Sequence, residues 1–243
     1  IKENLKFGKK IHVERHPLSQ EEYRMIIDVI RNPKRKALFL LLGSSGMRIG
    51  EAMQLKKKDL DVSQERIKVN IPAEITKTRK GRSTYMSRET EKMLKPFLDD
   101  YADDDFIFDF GSTTDKSMRS ARESNNLRTV LKRLNLDDRY PSNNHGKITT
   151  HSFRAYFFTL ATRRHGENYA HRLTGHSGYL MQYDRMTEEE KLDMYIELEQ
   201  DLMIYDQTKN ELEIEKLQKD NKELTQLRQE LHELKKQRDE DYI

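Results

Sequence analysis

Apolar residues recur at the three- and four-residue spacing of an α-helix along most of the chain. The first such stretch carries Tyr23, Ile26, Ile27 and Ile30, and a Ser-Gln-Glu-Glu capping box precedes it at residues 19–22. An Asn-Pro pair then ends the pattern, because the residue before a proline is biased away from the helical conformation. The first secondary-structure element of the chain is therefore predicted to be a helix with one apolar face.

Further stretches have helical length or spacing, and strand-like alternation is rare. The predicted helices span residues 37–42, 49–55, 87–98, 116–134, 151–164, 168–174 and 187–199. Charged and apolar residues alternate over 66–71, as they do in a half-buried strand. Residues 75–77 and 83–86 could form a hairpin around the Arg-Lys-Gly sequence at 79–81. The pattern predicts an α+β domain, mainly helical, with a small antiparallel β-sheet.

The pattern changes after about residue 206. No glycine or proline occurs between there and residue 241, and leucines repeat as in the a and d positions of a heptad. These leucines are Leu217, Leu224, Leu231, Leu227 and Leu234. Asp220 interrupts the seam, and a second register places Asn221 at a core position. We predict that residues 206–243 form an acidic coiled-coil tail that self-associates; the alternative is a single charged helix.

The charge of the chain is unevenly distributed, although its formal net value is only +3. Residues 1–186 carry 36 basic against 24 acidic residues, whereas residues 187–243 carry 9 against 18. Charged residues make up 36% of the chain, and its mean hydropathy is −0.97. A basic body with an acidic tail favours a polyanionic partner for the body, with a basic solvated surface as the alternative.

Some classes of protein are excluded by composition. The chain has no cysteine among its 243 residues, which rules out disulfides and thiolate metal sites and fits a cytoplasmic location. No run of 18 apolar residues suggests a membrane span, and residues 1–10 lack the apolar core of a secretory signal. We therefore expect no membrane partner.

The first candidate for chemistry is the segment that follows the glycine turn at Gly46. Arg48 would stand at a helix start, where free backbone N–H groups already favour anions. Glu51 lies three residues later on the same helical face and could hold the guanidinium in position. An ordinary surface ion pair is the alternative.

A second segment, at the predicted hairpin, is basic. Arg79, Lys80 and Arg82 could touch the DNA backbone or enter a groove, and Lys77 could donate a proton to a departing oxygen. Solvated turn residues are the alternative. The candidate DNA-binding residues are therefore Arg79, Lys80 and Arg82, together with Lys56 and Lys57.

Two later segments supply imidazole, guanidinium and phenol groups. His151 and Arg154 are three residues apart and share one face of a helix. His176 follows a glycine at the end of a short helix, and Tyr183 comes seven residues later. A tyrosine surrounded by cations that bind a phosphate can act as a nucleophile. The alternatives are a capping histidine, a surface arginine and a core aromatic residue.

The order of these groups identifies a resemblance that no single segment carries. An Arg with a nearby Glu, a hairpin Lys, His-x-x-Arg, Gly-His and then Tyr resembles the tyrosine recombinase family, which includes phage integrases, Xer-type resolvases and their archaeal relatives. The resemblance covers residues 18–205, and the sequence from Gly178 to Arg185 is more similar to the archaeal members. It implies the tyrosine recombinase catalytic-domain fold, followed here by the coiled-coil helix.

The resemblance also implies a role for each residue. Tyr183 would attack the scissile phosphate and form a 3′-phosphotyrosyl bond, with Tyr179 and Tyr195 as rival nucleophiles. Arg48, Arg154 and His176 would bind the non-bridging oxygens, while Lys77 would protonate the leaving 5′ oxygen. The remaining two residues are His151, as acid–base or further donor, and Glu51, as a support for the site.

Because the phosphotyrosine conserves the bond energy, the resemblance implies no cofactor, no ATP and no metal. Its implied partners are double-stranded DNA and further copies of the chain, four on two duplexes. Family members usually carry an N-terminal DNA-binding domain, so residues 1–17 are expected to be a basic linker that follows one. A type IB topoisomerase-like enzyme and a DNA-binding architectural protein with a coiled coil remain alternatives. A metal-dependent nuclease is disfavoured, because no carboxylate cluster accompanies the histidines.

Overall fold

A computed structural model gives the fold of the chain. It describes residues 15–111, 115–176 and 185–240, excluding the side chains of residues 233, 234 and 236–240. The chain divides into two compact units, Ile1–Leu202 and Met203–Ile243. No helix in the described ranges is both long enough and apolar enough to cross a membrane.

The described part of the first unit is mainly helical. Its helices are α1 (Gln20–Val29), α2 (Pro33–Ser45), α3 (Ile49–Ala52), α4 (Arg88–Leu98), α5 (Lys116–Arg133), α6 (Thr150–His165), α7 (Glu167–Thr174) and α8 (Glu188–Leu202). Its strands are β1 (Leu60–Asp61), β2 (Lys68–Ile71) and β3 (Arg82–Tyr85). The predicted α+β class, mainly helical with a small antiparallel sheet, is confirmed.

Short polar side chains fix where several of these helices begin. Ser19 and Glu22 form the reciprocal capping box of α1, as the sequence predicts. Asn32 caps α2, whose first residue is Pro33, and Ser87 caps α4. These signals act over a few residues and place most helix starts within one residue of the prediction, whereas α2 begins at Pro33, four residues before its predicted start. Helix α2 extends beyond the predicted 37–42, and α3 ends three residues before the predicted end of 49–55.

The core is organised around α2, of which residues 37–45 are buried without interruption. Helices α4 and α6 both pack against α2, and α7 and α8 pack against α6. Tyr23 meets Phe153 and Tyr156 edge to face, with ring centroids 5.0 and 5.3 Å apart. The buried aromatic side of α6 thus fixes the helix that carries His151 and Arg154.

The sheet is antiparallel in the order β1-β2-β3, with Val69 opposite Thr84 in the central register. The predicted strand at 75–77 is wrong, because a 3₁₀ turn occupies Ala73–Ile75 after Pro72. Strand β3 pairs instead with β2, which lies within the predicted 66–71 strand. The connection between them still projects the basic residues at 77–80.

The second unit contains α9, which spans Asp206–Glu240 and is 35 residues long. Its described side chains from residue 213 to 232 are exposed. The boundaries predicted for the linker, the catalytic domain and the tail, at 17/18 and 205/206, stay predictions.

Candidate active site

The first element of the site is a tight turn between α2 and α3. Gly46 adopts a left-handed conformation with φ of 65°. A Cβ atom there would overlap the ring of Phe157 and lie 2.8 Å from Thr174 Cγ2. Glycine therefore lets the turn press against α6 and α7, and the chain then enters α3 at Arg48.

Glu51 connects two arginines from different parts of the chain. Its carboxylate accepts from the Arg48 backbone N–H at 2.9 Å and from Arg48 Nη1 at 3.0 Å. Arg82, the first residue of β3, donates to the same carboxylate from Nη1 at 3.1 Å and Nη2 at 2.6 Å. Burial alone would raise the pKa of Glu51, but the hydrogen bonds and charge of Arg82 and the bonds from Arg48 lower it.

Arg154 is buried among carbonyl groups. It is 2% exposed, and its guanidinium donates to Gly46 O and, at 2.6 Å, to Thr174 O. Nη2 also lies 3.0 Å from His176 Nε2. Burial, with the like charges of Arg48 and Arg82, lowers the pKa of Arg154 to about 9. Among the described residues, no carboxylate lies within ion-pair distance of this cation, so its charge remains available to an anion.

The two predicted histidines lie beside these arginines. Burial and the charges of Arg154 and Arg48 lower the pKa of His176 to about 4, and the same causes lower the pKa of His151. His176 is therefore neutral at pH 7, and its Nε2 can accept from Arg154 while Nδ1 keeps the proton. The ring of Phe158 lies 5.7 Å from that of His176 and helps to fix it.

The structure thus brings together five of the predicted catalytic residues. They are Arg48, Glu51, His151, Arg154 and His176. With Arg82, the cluster contains three guanidinium groups but one carboxylate, which Arg48 and Arg82 share, and this excess of positive charge favours a phosphate. The roles proposed for these residues from the sequence stay predictions.

Lys77 is exposed on the turn between β2 and β3, and among the described residues no hydrogen bond or ion pair joins it to this cluster. Thr76 is buried and organises the turn, because its Oγ1 lies 3.0 and 3.1 Å from the carbonyls of Ala73 and Lys80 and accepts from Lys80 N at 3.1 Å. Arg79 has a positive φ of 51° within the same turn. Lys77, Arg79 and Lys80 all extend into solvent, where DNA could reach them.

The remaining predicted DNA-binding residues have partners within the chain. Lys56 Nζ bonds Asp104 Oδ1 at 2.9 Å, and Lys57 Nζ donates to Tyr101 O at 2.7 Å. The sequence groups Arg82 with the exposed cations, but its side chain is 7% exposed and holds Glu51. Sequence reasoning could not find this contact, because Arg82 and Glu51 are 31 positions apart.

The predicted nucleophile Tyr183 and its rival Tyr179 lie outside the described residues. Every tyrosine described between residues 15 and 202 has its hydroxyl bonded to a backbone atom. These are Tyr23, Tyr85, Tyr101, Tyr140, Tyr156, Tyr169 and Tyr195. The second rival, Tyr195, is fully buried, donates to Ser44 O at 2.8 Å, and has a pKa raised well above 10 by burial.

Within the described ranges, no group of three or more histidine, aspartate or glutamate side chains is arranged to hold a metal ion. The site shown by these residues is therefore built from cations, imidazoles and one carboxylate.

Several solved structures share this fold. XerA recombinase matches with a TM-score of 0.54 and 22% identity, over 78% of this chain and 66% of its own. Lambda integrase residues 75–356, as a dimer bound to a COC′ core site, matches with a TM-score of 0.52 and 17% identity, over 74% and 64%. The integrase from mycobacterium phage Brujita matches with a TM-score of 0.57 and 16% identity, over 77% and 59%.

This chain spans less than two thirds of the length of these three proteins. No curated protein sequence matches it significantly. The sequence model described as "Phage integrase family" matches residues 16–190, which hold the described arginine and histidine cluster and the segment with Tyr183. The chain therefore belongs to the phage integrase family.

Proposed function

We propose that this chain is a tyrosine site-specific recombinase that cuts and rejoins DNA strands through a 3′-phosphotyrosyl intermediate. The observation that carries the proposal is the convergence of Arg48, Arg154 and His176 from three separate segments at one place. Fixed positive groups stabilise the charge that develops on a phosphate during transfer, and this is usually the largest catalytic contribution.

The cluster suits a phosphodiester in particular. Arg154 is held by neutral carbonyls rather than by a carboxylate among the described residues. The Arg48 side chain is 29% exposed and keeps donors beyond the one that Glu51 accepts. Neutral His176 offers a further N–H donor at Nδ1 when Nε2 accepts from Arg154. These groups could bind both non-bridging oxygens without a metal or ATP.

The nucleophile is proposed to be Tyr183. Its phenol would give its proton to His151 as the base, its oxygen would attack phosphorus, and the bond from phosphorus to the 5′ oxygen would break. Lys77 would give its proton to that oxygen, so the strand leaves with a 5′-hydroxyl. The described tyrosines of the first unit support a nucleophile elsewhere, because each of their hydroxyls already has a backbone partner.

The partners are proposed to be double-stranded DNA and further copies of the chain. Lambda integrase, which shares the fold, is described as a dimer on a core site, and exchange between two duplexes requires four active sites in total. The exposed lysines and arginine of the turn at 77–80 would contact the DNA backbone. Since such an enzyme works where the DNA is, we propose the cytoplasm as its location.

A nicked suicide substrate tests the chemistry. Loss of a short 5′ fragment prevents rejoining, so the wild-type chain should accumulate a protein–DNA adduct that survives denaturant. Tyr183→Phe should form none, while Tyr179→Phe and Tyr195→Phe should retain it. If the adduct forms with Tyr183→Phe but not with Tyr179→Phe, the nucleophile is Tyr179 instead. If the wild-type chain forms no adduct, an architectural DNA-binding protein is favoured.

A second assay separates a recombinase from a topoisomerase-like enzyme. Two labelled duplexes with the same cleavage site should yield a product that joins a strand of one to a strand of the other. Relaxation of supercoiled DNA without such a product would contradict the recombinase assignment while leaving the phosphotyrosyl chemistry in place.

A further inference from the structure

Helix α9 carries a stripe of apolar side chains with solvent around it. Ile214, Leu217, Leu224, Leu227 and Leu231 are each between 54% and 61% exposed. At 1.5 Å per residue, the 35 residues of the helix extend over about 52 Å. A helix this long and polar gains little from its own propensity, and burial of an apolar stripe is the usual source of its stability.

The stripe has the geometry of a coiled-coil seam. Leu217, Leu224 and Leu231 are seven residues apart, so on a straight helix each lies about 20° behind the previous one. A partner helix can follow that drift only by a left-handed supercoil. With these leucines at position a, Leu227 falls at position d.

We propose that α9 pairs with α9 of a second copy of this chain as a parallel, in-register, two-stranded coiled coil. The charges flanking the seam decide the orientation. Glu223 and Glu230 occupy g positions, while Arg228 and Lys235 occupy e positions. In a parallel pair, each g residue faces the e residue five positions later on the other helix. Glu223 then meets Arg228, and Glu230 meets Lys235.

An antiparallel pair would reverse this complementarity. There, e positions face e positions and g positions face g positions, so glutamate would oppose glutamate and basic residues would oppose each other. The other register of the seam is also unfavourable. It would put Arg228 and Lys235 at core positions, where each charge would lose solvent without gaining a partner.

One layer of the proposed seam is weak. Asp220 occupies the d position between Leu217 and Leu224, so two carboxylates would face each other across the pair. Two carboxylates that face each other in a coiled-coil core repel, and this reduces the affinity of one α9 helix for the other. The weak layer provides a test that disruption alone cannot, because replacing Asp220 by leucine should tighten the pairing.

Parallel pairing has a consequence for the assembly. The two α9 helices would begin at the same end of the coiled coil, so their catalytic units would be tethered there at raised effective concentration. The chain would then meet DNA as a preformed pair. This association does not depend on DNA cleavage, so an inactive catalytic unit should leave it intact.

Sedimentation equilibrium of the full chain without DNA measures the association. We expect a dimer for the wild-type chain and for Tyr183→Phe. The double change Leu224→Glu with Leu227→Glu should raise the dimer Kd by about a hundredfold or more. Asp220→Leu should lower it, whereas Gln229→Glu, at an f position on the opposite face, should leave it unchanged. A monomeric wild-type chain, or equal effects at Gln229 and at the leucines, would overturn the proposal.

Single cysteines test the orientation, because the chain has none of its own. In a parallel, in-register pair, Leu217→Cys and Leu231→Cys should each form a disulfide-linked dimer under mild oxidation. Gln229→Cys should crosslink at least tenfold more slowly, since its side chains point away from each other. An antiparallel pair could crosslink efficiently at no more than one of the two leucine positions, and that result would refute the parallel arrangement.

Discussion

Arg82 and Glu51 form a two-point ion pair, in which the two terminal nitrogens of the guanidinium reach the two carboxylate oxygens at 3.1 and 2.6 Å. Arg82 Nε also donates to Leu173 O at 2.9 Å. One side chain thus joins β3 to α3 and to the end of α7. Arg48 caps the start of α3, and His176 lies two residues beyond the end of α7. The ion pair between Arg82 and Glu51 therefore helps to set the spacing between Arg48 and His176 in the candidate site.

Replacing Arg82 should damage the site more than it damages DNA affinity. Arg82→Lys keeps the charge but loses the fork that fits a carboxylate, so adduct formation should slow while DNA affinity changes little. Arg82→Ala leaves the buried Glu51 with Arg48 alone and should lower the free energy of unfolding by about 3 kcal/mol. Single-turnover cleavage and urea denaturation measure the two effects. Arg79→Lys, on the exposed turn, is the control, and equal losses of cleavage in both variants would contradict the positioning role.

Gly175 should resist substitution for two separable reasons. Its φ is 70°, and a Cβ atom there would lie 2.8 Å from Arg82 Cδ, on a side chain anchored at both Glu51 and Leu173. Gly111 has a similar φ of 74°, and no atom of the described residues lies within 4 Å of a Cβ placed there. We expect Gly111→Ala to cost about 1 kcal/mol of unfolding free energy, and Gly175→Ala about 2 kcal/mol more. Thermal or urea unfolding measures both costs. Equal costs would show that the Arg82 side chain can move away from the added Cβ without loss of stability, which would contradict the prediction.

Sequence patterns predicted most of the helices and the order of the site residues, but not the contacts between distant segments. Capping residues such as Ser19 and Ser87 act within a few positions, so their signals are local. The β3 partner was predicted wrongly because Pro72 opens a 3₁₀ turn where a strand was expected. Arg82 was predicted to be an exposed DNA-binding residue like Arg79 and Lys80, because no residue near it in sequence indicates that it contacts Glu51.

The two central arginines of the candidate site should each contribute to the transition state. Arg48→Ala and Arg154→Ala should each slow adduct formation by about 3 kcal/mol, or more than a hundredfold, because each removes a cation from the phosphate. Arg164, on the same helix as Arg154, bonds Asp201 at the surface and provides the matched control. Arg164→Ala should cleave at the wild-type rate. If Arg48→Ala or Arg154→Ala cleaves DNA at the wild-type rate, the arginine replaced in that variant does not act in catalysis.

The lowered pKa of His176 predicts a pH dependence of stability. Its pKa is about 4 in the folded chain against an ordinary value near 6.5, so the unfolded chain takes up this proton at higher pH. The free energy of unfolding should therefore be intact above about pH 6.5 and fall as the pH drops towards 4. His176→Asn should flatten that part of the profile, measured by urea denaturation at each pH. Parallel profiles for the two proteins would contradict the shift.

Lys77 provides the most specific test of the proposed leaving-group chemistry. If it protonates the departing 5′ oxygen, Lys77→Ala should slow cleavage by about a hundredfold or more. A substrate with sulfur in place of that bridging oxygen should restore the rate, because a thiolate leaves without a proton. Lys80→Ala, three positions along the same exposed turn, controls for loss of charge towards DNA and should show neither the large defect nor the rescue. A Lys77→Ala defect that persists with the sulfur substrate would assign this lysine to phosphate binding instead.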